Sequence, residues 1–147
     1  MKLAGYYWGT RNEGEEGNFK TQNDGDALSA AKTWGNDGIH FWTLPSVAQW
    51  QALIKYCSWS WTDNYNETGR TGIVVTGKEE NFENGNSIFL PAEGCYSGTL
   101  KTVQQAGSLG YYSTSDIQYN CRFNKTYFKI NPHTNLSDGL SVRPVAE

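Results

Sequence analysis

Pro45-Ser46-Val47-Ala48-Gln49-Trp50-Gln51-Ala52-Leu53-Ile54-Lys55-Tyr56-Cys57 is the stretch on which the reading of the chain turns. Ser46 followed three residues later by Gln49 is a capping box. The hydroxyl accepts from the Gln49 amide, and the Gln49 side chain reaches back to the Ser46 amide. Val47, Trp50, Ile54 and Cys57 then repeat at the helical period. The spacing predicts a helix over residues 46–57 with Val47, Trp50 and Ile54 facing a core.

What flanks that helix sets the fold class. Upstream, residues 3–8 are aromatic-rich and read as a strand, and residues 9–25 as a Gly/Glu/Asn loop. Asp26 suits an N-cap, Ala27, Ala31 and Trp34 recur at helical spacing, and Gly35 is a stop, which gives a short first helix. Downstream, Trp59 and Trp61 alternate and so share one face of an extended segment, where packing is favoured over a ligand shelf. Residues 72–76 and 87–90 are β-branched or aromatic runs joined by a polar loop holding Asn84-Gly85-Asn86. Strand-like pieces follow at 110–114, 120–124, 127–130 and 140–145. Helices first and strands after point to α+β rather than alternating α/β. Neither a repeat nor a linker divides the chain, so residues 1–147 read as one domain.

Composition narrows the function. Of 147 residues, 14% are aromatic and 18% charged, the reverse of a disordered chain. A net charge of -3 argues against a nucleic-acid partner, which needs a basic stripe. The longest apolar runs are too short for membrane insertion, and residues 1–5 lead into polar sequence without a signal-peptide core. Cys57, Cys95 and Cys121 are too few and too far apart for a zinc site, and an odd count leaves a thiol unpaired. His40 and His133 sit in no nucleophile or metal motif. The acidic runs Glu13/Glu15/Glu16 and Asp24/Asp26 lack an EF-hand pattern and read as solvated loops. The expectation is a protein without catalytic residues, metal or cofactor.

Residues 111–138 are a weakly periodic mixture of Tyr, Ser, Thr, Asn, Asp, Phe, Ile, Arg and His. Paratopes favour such mixtures, because Tyr supplies contact area at low entropy cost while small polar residues adapt. An irregular loop region would look the same.

Six segments in order resemble a known pattern: Tyr6-Tyr7-Trp8-Gly9; Trp42-Thr43-Leu44-Pro45-Ser46 leading to Trp50; Cys57-Ser58-Trp59-Ser60-Trp61; Gly85-Asn86-Ser87-Ile88-Phe89-Leu90-Pro91-Ala92; Gly110-Tyr111-Tyr112; and Gly139-Leu140-Ser141-Val142-Arg143-Pro144-Val145. Together they resemble the Fibrobacter-type major paralogous domain, a relative of the formylglycine-generating enzyme domain within the C-type lectin-like fold. The resemblance implies two helices packed on twisted antiparallel strands with long loops, the terminal strands close together. The oxygen-activating cysteine pair of the enzymes and the calcium–sugar motifs of true lectins have no match here.

Variable proteins of diversity-generating retroelements end in a similar segment, where Asn codons are randomised. Here Ser113 stands where those relatives usually carry Trp, inside a candidate variable region at residues 110–140. Tyr112, Ser113, Ser115, Asp116, Ile117, Tyr119, Cys121, Tyr127, His133, Thr134, Ser137 and Asp138 all belong to the set such codons reach. The resemblance makes them the expected ligand-binding positions on one exposed surface. Lys125, Lys129 and Gln118 fall outside that set and are expected as fixed scaffold or rim positions. Arg143 is expected to hold backbone carbonyls or an ion pair within the frame. The implied function is a non-enzymatic receptor or adhesion domain on a virion or bacterial surface, or secreted, recognising a protein or glycan on a cell. The alternative is an undiversified surface domain that binds glycan or serves assembly.

Overall fold

Ser46 and Gln49 close the capping box: Ser46 Oγ accepts from the Gln49 amide at 3.0 Å, and Gln49 Oε1 from the Ser46 amide at 2.9 Å. A computed structural model describes residues 1–14, 17–21, 25–35, 38–78, 85–133 and 135–147. Glu15, Glu16 and Asp24 of the acidic runs, Asn84 of the polar loop and Thr134 lie outside these. Helix α1 spans Asp26–Thr33 and α2 spans Val47–Tyr56. In α2, Trp50 and Leu53 are fully buried and the C-cap Cys57 is buried with them, whereas Val47 and Ile54 are half-buried. The inward stripe therefore runs through Trp50 and Leu53, with Ile54 half-buried and packed against the same core. Asp26 is the first helical residue rather than the cap. Gly25 takes the N-cap with φ 72°, and the Asp26 carboxylate instead faces the positive end of the helix dipole.

The strands are β1 (Lys2–Leu3), β2 (Tyr6–Trp8), β3 (Ser58–Thr62), β4 (Gly72–Thr76), β5 (Ser87–Pro91), β6 (Cys95–Tyr96), β7 (Val103–Gln104), β8 (Gly110–Ser113), β9 (Tyr119–Phe123), β10 (Phe128–Pro132) and β11 (Val145–Ala146). The strand expected over residues 3–8 is a hairpin. Lys2 pairs Tyr7 and Leu3 pairs Tyr6, around a two-residue turn in which Ala4 and Gly5 both have positive φ. That is the turn geometry whose twist matches antiparallel strands. The stretch at 140–145 is likewise not one strand but a series of single bridges ending in β11.

Among the described residues four antiparallel sheets form: β1-β2-β11, β3-β4-β5, β8-β9-β10 and β6-β7. The terminal strands lie side by side, Val145 opposite Trp8. Residues 139–145 stitch the sheets together, with Gly139 bridging Tyr96, Leu140 bridging Lys20, Ser141 bridging Tyr112 and Val145 bridging Thr43. With two helices the architecture is α+β.

The main core forms where α2 lies against β9 and β10. Trp50 packs on Trp8 with ring centroids 4.8 Å apart and on Tyr112 at 5.7 Å; Phe123 and Phe128 close the cluster. Trp59 and Trp61 point the same way from β3 and pack on Phe128 and Phe123 at 6.1 and 6.5 Å, so they serve packing. Gly110 is required by close approach, because a Cβ there would overlap the Phe123 ring. A second, smaller core joins Ala27 and Ala31 of α1 to Leu44 and Val142.

Candidate binding face

The β8-β9-β10 sheet has two faces, and its register assigns each residue to one of them. Tyr112, Cys121 and Ile130 are cross-strand partners, as are Gly110, Phe123 and Phe128; these face α2 and the core. Tyr111, Arg122 and Lys129 are partners on the other face, with Ser113, Asn120 and Asn131 in the neighbouring row.

Three expected ligand positions are therefore corrected. Tyr112, Ser113 and Cys121 are all buried. The Tyr112 hydroxyl donates to the Pro91 carbonyl at 3.0 Å and accepts from Asn12 Nδ2 at 2.9 Å, and burial raises its pKa. Cys121 lies between Tyr112 and Ile130 on the inner face, where burial pushes its thiol well up. Ser113 shares the outer row but is covered, and its Oγ has no hydrogen-bond partner among the described residues. Exchange at these positions would open cavities or overpack the core.

The remaining described positions reach solvent. Ser115, Asp116, Ile117 and Tyr119 lie on the β8–β9 loop and its exit, with Ile117 47% and Tyr119 38% exposed. The loop is tied down although it is exposed. Ser115 N–H donates to the Pro45 carbonyl at 2.8 Å, Gln118 N–H to Asp116 Oδ1 at 3.0 Å, and Thr114 Oγ1 to the Asp116 carbonyl at 2.7 Å. Ser137 and Asp138 sit on a turn whose Asp138 Oδ1 accepts from the Gly98 amide at 3.0 Å. Tyr127 and His133 are half-buried on the outer face. Of the expected rim residues, Gln118, Lys125 and Lys129 are all exposed.

The outer face also holds residues that codon arithmetic passed over. Asn120 is buried beneath it and organises it: Asn120 Oδ1 accepts from Arg122 Nε at 2.9 Å, which turns its amide nitrogen toward His133 Nδ1 at 3.0 Å. His133 Nδ1 must then be an acceptor, so the ring is neutral with its proton on Nε2. Burial lowers the His133 pKa, consistent with that state; Asp138 opposes the shift and Arg122 adds to it. The Arg122 guanidinium lies over the Tyr111 ring at 4.8 Å, and Lys129 Nζ over the Tyr127 ring at 4.8 Å. Tyr111 feels the charges of Arg122, Cys95, Tyr127 and Asp138, and burial raises its pKa. Tyr111, Asn120 and Arg122 could have been found by alternation, since each has the opposite parity to Tyr112, Cys121 or Phe123.

Arg143, by contrast, belongs to the frame, as the motif suggests. Fully buried, it donates to the Gly9 carbonyl at 3.0 Å, to the Phe89 carbonyl at 2.6 Å and to Asn12 Oδ1 at 2.8 Å. Burial lowers its pKa to about 10, so it stays charged at neutral pH.

No protein-family model, curated protein or solved structure matches the chain.

None of the three cysteines is in a disulfide. Burial is the largest cause raising the Cys95 thiol pKa, and Asp138 raises it further. Among the described residues no three His, Cys, Asp or Glu side chains are grouped to hold a metal, and no helix is long and apolar enough to cross a membrane. The arrangement is suited to contact: aromatic rings and cations on a rigid sheet, framed by an exposed but hydrogen-bonded loop.

Proposed function

We propose that the chain is a non-enzymatic ligand-binding domain of C-type lectin-like fold. It presents the outer face of the β8-β9-β10 sheet, with the β8–β9 loop, as the diversified receptor surface of a phage or bacterium. The observation that carries this reading is the division of one sheet into two faces. Tyr112, Cys121, Phe123 and Phe128 are locked into the core, while Tyr111, Arg122 and Lys129 stand on the same strands facing away from it, with Tyr127 and His133 flanking β10 beside them. Such a backbone tolerates exchange on one side without loss of fold, the requirement for selecting ligands by side chain alone. The pairing of β11 with β2 and the buried Arg143 support the lectin-like frame. The test is to sequence this locus in sibling isolates. Differences concentrated at outer-face and loop positions, with the inner face and Arg143 constant, support the reading. Differences scattered evenly over core and surface sink it.

A second reading, an undiversified surface domain serving assembly, is favoured by one observation elsewhere. Phe41 is 94% and Ile39 76% exposed, beside a cleft of about 680 Å³ that His40 and Trp42 also line. Exposed apolar surface of this kind commonly marks a protein contact. Mutation of Phe41 to Ser followed by sizing of the protein separates the two, because assembly should be lost while ligand binding is retained.

A further inference from the structure

We propose that the partner recognised by the outer sheet face is a protein with an exposed acidic segment, whose carboxylate is gripped by the Arg122 guanidinium. This rests on the reading of that face as the binding surface. The guanidinium is positioned before any ligand arrives: Nε is held by the buried Asn120, Asn120 is fixed in turn by His133, and the guanidinium carbon lies over the Tyr111 ring. Among the described residues Arg122 forms no ion pair, and its two terminal nitrogens make no hydrogen bond.

A half-buried, oriented guanidinium whose terminal nitrogens are unbonded, with Asp138 near but not paired to it, is costly, and its remaining N–H fork matches a carboxylate bidentately. Arg143 shows the contrast, since its donors are taken up by protein acceptors. The cross-strand register adds a second cost, because Lys129 is the direct partner of Arg122. Like charges opposite one another destabilise a sheet, and an anion placed over the pair relieves both terms. In a chain of net charge -3 this local excess of positive charge is not a by-product of composition. The tyrosines favour a peptide over an acidic glycan. Each ring already carries a cation, Arg122 over Tyr111 and Lys129 over Tyr127, so the flat surface on which a sugar would stack is occupied. Arg and Tyr together are also the residues that dominate protein interfaces.

The experiment is fluorescence anisotropy of the intact domain with two labelled probes, an oligoglutamate peptide and an oligogalacturonate. Thermal unfolding is recorded for every variant. Oligoglutamate should bind, and more weakly as salt is added. Arg122→Gln should weaken it about tenfold or more, the scale of one charge-assisted hydrogen bond. Arg122→Lys should fail to restore affinity because the ammonium lacks the fork. Lys55→Gln, on the helix behind the sheet, should leave binding unchanged. Oligoglutamate binding that survives Arg122→Gln overturns the proposal, as does tighter binding of oligogalacturonate through Arg122. If oligoglutamate does not bind while a library randomised at outer-face positions still yields binders, only the acidic-partner assignment falls. If the library yields none, the reading of the face falls with it.

Discussion

The indole N–H of Trp50 donates to the backbone carbonyl of Ser113 across 3.2 Å, which fastens α2 to the end of β8. The side chain that fills the centre of the core thus also fixes the strand from which the candidate face is built. Truncation to Ala removes both roles and should cost about 3–5 kcal/mol. Trp50→Phe keeps most of the ring and loses the hydrogen bond, which should cost about 1 kcal/mol beyond any repacking. Urea denaturation of the two variants checks the ordering.

Replacing Arg143 by Met should destabilise the domain by at least about 3 kcal/mol, since each orphaned buried acceptor costs about 1–3 kcal/mol. Lys should not rescue it, because one ammonium cannot reach the Gly9 and Phe89 carbonyls and Asn12 together. The readout is thermal unfolding, and a Lys variant as stable as the parent contradicts the assignment.

Ser113→Ala should stabilise the protein by about 1 kcal/mol, because a buried hydroxyl without a partner carries an uncompensated desolvation cost. A raised urea midpoint at unchanged slope is the expected result. A lowered midpoint would mean that the hydroxyl has a partner.

Stability should fall as pH drops below neutrality, in part through His133. Its folded-state pKa is lowered by burial and by Arg122, with Asp138 opposing. The unfolded chain therefore takes up the proton first, and stability is lost as pH falls through the unfolded value near about 6.5. Protonation also removes the acceptor that Asn120 uses. His133→Gln, which cannot titrate, should show a shallower loss of melting temperature between pH 7.5 and 5.5, both chosen at roughly one unit either side of that value. Equal losses in parent and variant would exclude His133.

Native thiol titration should find one slow cysteine. Cys95 is half-buried with its pKa raised, whereas Cys57 and Cys121 are buried. All three should react once the chain is unfolded. Rapid reaction of two or more in the native protein contradicts this placement.

Much of the scaffold was legible because its signals are local. Ser46 and Gln49 speak for α2 without reference to any other element, and Gly72 to Thr76 is a strand by composition alone. The N-terminal hairpin was not legible, because Ala4 gives no sign of its positive φ and the aromatic run around it reads through the turn. The site was half legible for a related reason. Codon accessibility identifies which residue types are exchangeable, but it is blind to the pleat. It grouped Tyr112 with Ile117 although one faces the core and the other water. Tyr111, Asn120 and Arg122 needed a register, and register is a property of strand pairs that no single segment contains.

The stitching role of residues 139–145 has a consequence for how the protein comes into being. Tyr96, Lys20, Tyr112 and Thr43 are all synthesised before the segment that joins them. Until that segment emerges, α2 and the separate sheets have only part of the surface they will bury, and their edges stay available to other chains. Contacts of such long sequence separation are closed late and slowly. Completion of the fold therefore waits for synthesis of this segment. If the outer face is diversified as proposed, its variants meet their first selection there, on reaching the folded state, before any ligand is encountered.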